Sequence, residues 1–267
     1  MQGGWVDQDS SYPVTSEIKG EVLVVSINRP NQRNAIDGPT ADGLMEAFEE
    51  FEKNTALNVA ILYGQGGNFC AGADLKAIGS GRGNKVEEDL SRPGPLGITR
   101  MKLSKPVIAA VEGYAVAGGL ELAIWCDLRV ATPSSTFGVF CRRWGVPLVD
   151  GGTVRLPRLI GHSRALDMIL TGRGVGGAEA FEWGLVNRLV DESCALEASL
   201  ELAAKISLFP QLCMRNDRLS SYLQWGSDID EAMAKEVHLG LETIRSGETI
   251  EGSKRFQEGR GRHGQGV

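Results

Sequence analysis

Two short runs of small residues carry the first chemical signal in this sequence. Ala71-Gly72-Ala73 lies within NFCAGADLK (Asn68 to Lys76), and Ala117-Gly118-Gly119 lies within VEGYAVAGGLELAIWCDLRVATPSSTFG (Val111 to Gly138). In each, the lack of bulky side chains leaves backbone N–H groups unobstructed at or near a turn into a helix. The first N–H groups of a helix have no internal partner and sit at the positive end of its dipole. Two such donors converging on one oxygen form an oxyanion hole, each worth ~3–4 kcal/mol toward a developing negative charge. Glu121 follows Gly118 by three residues, which puts it in the first turn of the helix. A carboxylate there either complements the dipole or serves as an acid or base beside the hole. Asp150, directly before Gly151-Gly152-Thr153 and a helical pattern, fits an N-cap.

Other motifs fail on their context. Gly79 to Val86 (GSGRGNKV) looks like a phosphate-cradling loop, but Asn84 replaces the glycine required before Lys85 and no Ser or Thr follows. Gly172, Gly174 and Gly177 satisfy G-x-G-x-x-G, yet they follow a helical pattern rather than a strand. No serine-centred nucleophile elbow occurs. The five cysteines (Cys70, Cys126, Cys141, Cys194, Cys213) are odd in number and scattered, and the three histidines lack ligand spacing. No disulfide framework and no metal site is expected, and a reducing cytoplasm suits such a chain.

The elements that must hold the two turns follow from the hydrophobic pattern. Glu21 to Asn28, Val59 to Tyr63, Pro106 to Val111 and Cys126 to Ala131 read as strands. Gly38 to Asn54 reads as an amphipathic helix, and Gly118-Gly119 open a helix through Trp125. This alternation predicts an α/β fold with parallel sheet and crossovers. Residues 79 to 100 read as a polar loop rich in glycine and proline. From Asp150 onward the chain reads as helices over 151–160, 163–171, 178–183, 195–208, 212–225 and 228–246, broken by a strand at Leu185 to Val190. A boundary near residue 200 separates the β-containing part, 1–200, from a helical part, 201–267. One helical face there is apolar (Leu219, Tyr222, Leu223, Met233, Val237, Leu239) and suits packing on the body or on another subunit. The final GRGRHGQGV reads as frayed.

Composition narrows the function classes. The 267 residues carry 28 Lys and Arg against 34 Asp and Glu, a net charge of −6 that offers no general footprint for nucleic acid. No stretch approaches the ~20 apolar residues of a membrane span. The opening MQGGWVDQDS lacks the basic and apolar regions of an export signal.

Taken together, the two glycine turns resemble the crotonase superfamily, the enoyl-CoA hydratase/isomerase family. The resemblance also covers RPNQRNAID (Arg29 to Asp37), LPRLIGHSRALDMILTGR (Leu156 to Arg173), GLVNRLV (Gly184 to Val190) and EGSKRF (Glu251 to Phe256), so it runs from about Val14 to Gly261. It implies a spiral of ββα turns whose C-terminal helices mediate homotrimers, often paired into hexamers. It also implies acyl-CoA thioester substrates and a stabilised thioester enolate, without metal or redox cofactor. By position, it makes Ala71 and Gly118 the oxyanion donors and Glu121 an acid/base carboxylate. It makes Arg33, Ala35, Ala73, Asp74, Leu75 and Lys76 contacts for the CoA portion, with Arg33 and Lys76 facing phosphates. Phe256 either reaches a neighbouring subunit's CoA or packs in the core, and the 79–100 loop lines the acyl pocket.

One position departs from the family. Within FGVFCRRWGVPLVDGGT (Phe137 to Thr153), Cys141 stands where a hydratase carries its second glutamate. A thiol with a reference pKa of ~8.5 is a poor substitute, and a small buried hydrophobe is its simpler role. Asp150 resembles the catalytic aspartate of the dienoyl-CoA isomerase branch, although the loop from Gly145 is one residue longer. Arg142 and Arg143 are a solvated pair, neutralise Asp150, or bind a carboxyacyl-CoA as in a decarboxylating branch. Trp144 either shortens the acyl pocket or joins the core. The expectation is therefore an enoyl-CoA hydratase/isomerase. Its alternatives are a Glu121/Asp150 isomerase, a carboxyacyl-CoA decarboxylase, or a CoA-binding protein with little catalysis.

Overall fold

The computed structural model describes residues 12–261; the opening stretch and all but three residues of the glycine-rich end lie outside them. The chain divides into two compact units, the first ending at Ala203 and the second beginning at Ala204. No helix among the described residues is long and apolar enough to cross a membrane.

The first unit is built on a six-stranded sheet. Its strands are β1 (Val14–Lys19), β2 (Val22–Ile27), β3 (Val59–Gly64), β4 (Val107–Val111), β6 (Leu128–Ala131) and β9 (Arg188–Leu189), adjacent in that order. All pairs are parallel except β1 with β2. The inner strand β2 (VLVVSI) is buried at every position, as a strand covered on both faces requires. β1 (VTSEIK) was not expected from the sequence: it is a polar edge strand joined to β2 by a two-residue turn, and Gly20 takes φ +64° there. β9 is shorter than the expected Leu185 to Val190, because the N–H groups of Leu185 and Val186 turn back to the Ala180 carbonyl at 2.9 and 3.1 Å.

A second, three-stranded sheet joins β5 (Tyr114–Val116), β7 (Thr136–Gly138) and β8 (Gly174–Gly176). Successive strands thus alternate between sheets before a helix follows. β4, β5 and α2 (Gly118–Trp125) make one ββα turn; β6 and β7 lead through a 3-10 turn (Phe140–Trp144) to α3 (Gly152–Ile160). The Cys70–Ala115 bridge extends the second sheet back toward the end of β3. α1 (Gly38–Lys53) starts at Asp37, whose carboxylate accepts the Thr40 N–H at 3.1 Å, and it buries Leu44, Phe48 and Phe51 along one face. α4 (His162–Thr171) and α5 (Gly177–Glu182) follow α3. α6 (Ala195–Ser207) spans the boundary between the units.

The second unit contains α7 (Gln211–Leu223), α8 (Ile229–Ser246) and α9 (Glu248–Gln257). Asp228 caps α8 at the Glu231 N–H. Glu248 receives the N–H groups of Leu212 and Cys213, at 3.1 and 2.9 Å, and so caps α7 from α9. α9 was not read from the sequence.

Candidate active site

The two small-residue turns meet because a short ladder brings them together. Cys70 donates its N–H to the Tyr114 carbonyl at 2.8 Å, and Val116 donates to the Cys70 carbonyl at 3.1 Å. Two glycine positions then allow contact closer than any side chain permits. A Cβ on Gly72 would lie 2.8 Å from the Gly118 nitrogen, and one on Gly119 would lie 2.0 Å from the Cys70 oxygen. Ala117, at φ +54° and ψ −125°, holds a backbone conformation that L residues rarely adopt, and it reverses the chain directly into α2. The Leu96 side chain covers this junction, 2.6 Å from where a Gly118 Cβ would be.

The donors differ in one respect from the sequence expectation. The Ala71 N–H is donated to the Arg33 carbonyl at 3.0 Å, so it is committed within the fold. The free donor in that turn belongs to Ala73. Ile36 forms a parallel bridge with Ala73, donating to the Gly72 carbonyl and accepting from Asp74, both at 2.8 Å. In that pattern the N–H of the central residue points away from its partner strand. Ala73 and Gly118 accordingly have no acceptor for their N–H groups among the described residues. The Cys70 thiol, which the sequence did not single out, takes the remaining Gly72 N–H at 3.3 Å.

Glu121 lies in the first turn of α2 and is 2 % exposed. Its Oε1 accepts the N–H groups of Asp150 and Gly152 at 2.9 and 2.8 Å, whereas Oε2 takes none from the described residues. A side chain at Gly152 would crowd the carboxylate, since a Cβ would sit 3.0 Å from Glu121 Cγ and Oε1 and these would have to give way. Burial above all, and then the charge of Asp150, push the Glu121 carboxyl up to about 7, against the pull of the two N–H donors and Arg155.

Asp150 is buried beside it but is not the cap of α3: Gly151 holds that position, with φ +96°. The Asp150 carboxylate turns instead to the 3-10 turn Ile98–Arg100. Its Oδ1 accepts the Leu96 N–H at 3.2 Å and the Thr99 hydroxyl. Burial raises its pKa, opposed by those two bonds and by Arg100 and Arg155. The two carboxyl groups are built alike, each with one oxygen pinned by donors and a second that takes no hydrogen bond from the described residues.

Cys141 is a buried member of the apolar core. Burial, followed by the charge of Glu121, raises its thiol pKa, so it carries no negative charge of its own into the site. Arg142 and Arg143 are both exposed, as a solvated pair would be, and neither is aimed at Asp150. Arg142 Nε donates to the Ile169 carbonyl and Arg143 Nη2 to the Gly172 carbonyl, both at 3.0 Å, closing the C-terminal end of α4. Arg143 also stacks 3.9 Å over the Phe140 ring. Trp144 is 72 % exposed, outside the core.

The segments expected to bind CoA are stitched together by the Arg33–Ala71, Ile36–Gly72 and Asp74–Ile36 bonds. Arg33 is exposed, with its guanidinium over the Tyr114 ring, while Ala35 is buried and its carbonyl accepts from Arg29. Leu75 and Lys76 are exposed and Ala73 half-buried. The Asp74 carboxylate is committed to Arg29 at 2.8 Å and to the Lys76 N–H, so its side chain locks the turn. Phe256 is exposed. Leu96 and Thr99 of the long loop reach Asp150, and loop residues between 81 and 97 form a cavity of about 410 Å³ with the start of α1. Among the described residues, no group of three or more His, Cys, Asp or Glu side chains gathers as a metal centre would need.

The chain matches the family described as enoyl-CoA hydratase/isomerase over residues 17–265. It is 34% identical over 241 residues to a mevalonyl-coenzyme A hydratase of Aspergillus fumigatus, covering 90% of this chain and 89% of the relative. It is 36% identical over 255 residues to an enoyl-CoA hydratase of Mycobacterium tuberculosis, covering 91% and 93%. A crystal structure of enoyl-CoA hydratase from Mycobacterium tuberculosis superposes with a TM-score of 0.88 at 37% identity, covering 94% of this chain and 97% of that one.

Proposed function

The chain belongs to the enoyl-CoA hydratase/isomerase family, and from that premise we propose that it reversibly adds water across the double bond of an enoyl-CoA. It is an enzyme of acyl-CoA chemistry; the direction of the reaction and the residues that perform it are our reading. The observation that carries this reading is Glu121, buried in the helical turn that Gly118 opens, with one oxygen pinned and a pKa near that of the medium. Water attacks C3 and gives its proton to Glu121 Oε2, while the π electrons move onto the thioester oxygen. The N–H groups of Ala73 and Gly118 hold that enolate oxygen. Glu121 then returns that proton to C2 and is ionised again, while the charge of Asp150 beside it keeps it basic enough to act. Dehydration is the reverse. The names of the two relatives above, both hydratases, support water as the partner.

A second reading is favoured by Cys141. Without a second glutamate at that position, Glu121 and Asp150 can remove a proton at one carbon and return one at another, which shifts the double bond and needs no water. Mass-resolved turnover of 2-enoyl, 3-enoyl and dienoyl-CoAs in deuterated water decides between them. A product heavier by one water establishes hydration. Deuterium uptake with a moved double bond and no added water overturns it in favour of isomerisation.

We further assign Arg33 and Lys76 to the CoA phosphates and the exposed apolar face of α7 and α8 to a homotrimer or a dimer of trimers, in the cytoplasm. The reaction as written uses backbone donors and carboxyl groups, and no step calls for a metal or redox cofactor.

A further inference from the structure

Arg155, on the first turns of α3, is half-buried and joins the parts of the site that carry the acid and base groups. Its Nη1 donates to the Asp150 carbonyl at 2.9 Å and its Nη2 to the Thr99 carbonyl at 2.8 Å. Gly151 makes room for it: a Cβ there would lie 2.2 Å from Nη1. The bridged segments are the ones that matter. The first contains the N–H groups of Asp150 and Gly152 that pin Glu121; the second contains Leu96, which lies over Gly118, and Thr99, which holds the Asp150 carboxylate. We propose that Arg155 is a positioning residue for proton transfer, fixing the Asp150–Gly152 loop against the Leu96–Thr99 turn so that both carboxyl groups face the substrate. The proposal rests on the reading of Glu121 as the acid/base group.

Charge and bridging are separable contributions. Glu121 faces Asp150, Arg155 and the Cys141 thiol; Asp150 faces Arg100 and Arg155. Arg100 is turned toward the carbonyls of Glu87, Asp89 and Arg92, so Arg155 is the cation anchored on the loop itself. Removing a nearby cation raises a carboxyl pKa, and Arg155 acts on both groups, though as the weakest of the influences on each. Lysine keeps the charge, but one compact ammonium does not reproduce a planar fork that spans two carbonyls.

The test is the pH profile of kcat and kcat/KM for Arg155→Met, Arg155→Lys and Glu121→Gln on one enoyl-CoA, with CoA binding as the check on folding. Arg155→Met should lower kcat about tenfold or more with little change in KM. Its acid limb should move to higher pH. Arg155→Lys should lower kcat while leaving the acid limb in place. The inference is overturned if both variants match the wild type, or if Arg155→Met loses activity with its acid limb unmoved. Full activity of Glu121→Gln would sink the proposed function instead, so the two failures are distinct.

Discussion

The two units of this chain use apolar residues in opposite ways. Among the described residues, every buried apolar side chain of the core lies at or before Ala203. Beyond it the buried residues are Asn216 and Thr243, both polar, while Met233 and Val237 stand 57 % and 58 % exposed. The first unit is finished by its own core, and the placement of its buried carboxyl groups follows from that core. The second displays an apolar surface that costs free energy in water unless another surface covers it. Substitutions in the first unit should therefore register in chemistry and intrinsic stability, and substitutions on the second in assembly.

The largest expected effect tests the first half of that contrast. Glu121→Gln keeps the shape and the acceptor for two N–H groups but removes the proton acceptor. Turnover should fall by about 10²–10⁴ with CoA binding and oligomeric mass unchanged. Stability should move the other way. The folded carboxyl titrates at about 7 against an ordinary 4.5, so the folded state binds the extra proton between those values. That contribution is complete below the lower value and is lost as pH rises through the upper, ~3 kcal/mol in all. The variant should melt above the wild type at pH 8 and close to it at pH 4.5. A turnover unchanged by the substitution would break the assignment.

Next comes the nesting of the two turns. Gly119→Ala places a Cβ 2.0 Å from a backbone oxygen, where no side-chain rotation relieves it. Overpacking of this kind costs about 1–3 kcal/mol, and the turns must separate to accommodate it. Thermal unfolding should shift down and kcat should fall together. Loss of stability alone, with kcat intact, would show that the turns can part without harm to the oxyanion donors.

The same contrast explains what could be read before the fold was known. Small residues at the two turns, the helix opened by Gly118 and Glu121 in its first turn are local features, and the structure keeps them where the spacing puts them. The donor in the first turn was not local. Ala71 and Ala73 look equivalent in sequence, and only the Ile36–Ala73 register decides which N–H remains free. Asp150 likewise reads as a cap until Leu96 and Thr99, more than fifty residues away, claim its carboxylate. Arg142 and Arg143 found their partners in the carbonyls at the end of α4, which no side-chain pattern announces. In the second unit the helices α7 and α8 follow their periodicity closely, but periodicity does not say what their apolar face covers.

Placing charge on that face tests the second half. Met233→Asp with Val237→Asp alters two exposed positions four residues apart on α8, one helical turn. If the face is a subunit interface, sedimentation should show a smaller assembly, with helical content retained. An unchanged mass would free the face from assembly and break the comparison.

The smallest effect concerns the polar pair inside the second unit. Asn216 Nδ2 donates to the Leu239 carbonyl and to the Thr243 hydroxyl, both at 3.1 Å, and ties α7 to α8 where an apolar core would otherwise do so. Asn216→Ala removes both bonds and leaves a buried hydroxyl short of one partner. The expected loss is ~1–2 kcal/mol, seen in denaturant unfolding. Thr243→Ala should cost no more, and the double variant less than the sum, because the two side chains share one bond. Strict additivity would mean that the pair does not couple the helices, and that packing of exposed apolar residues within the unit contributes more than their exposure implies.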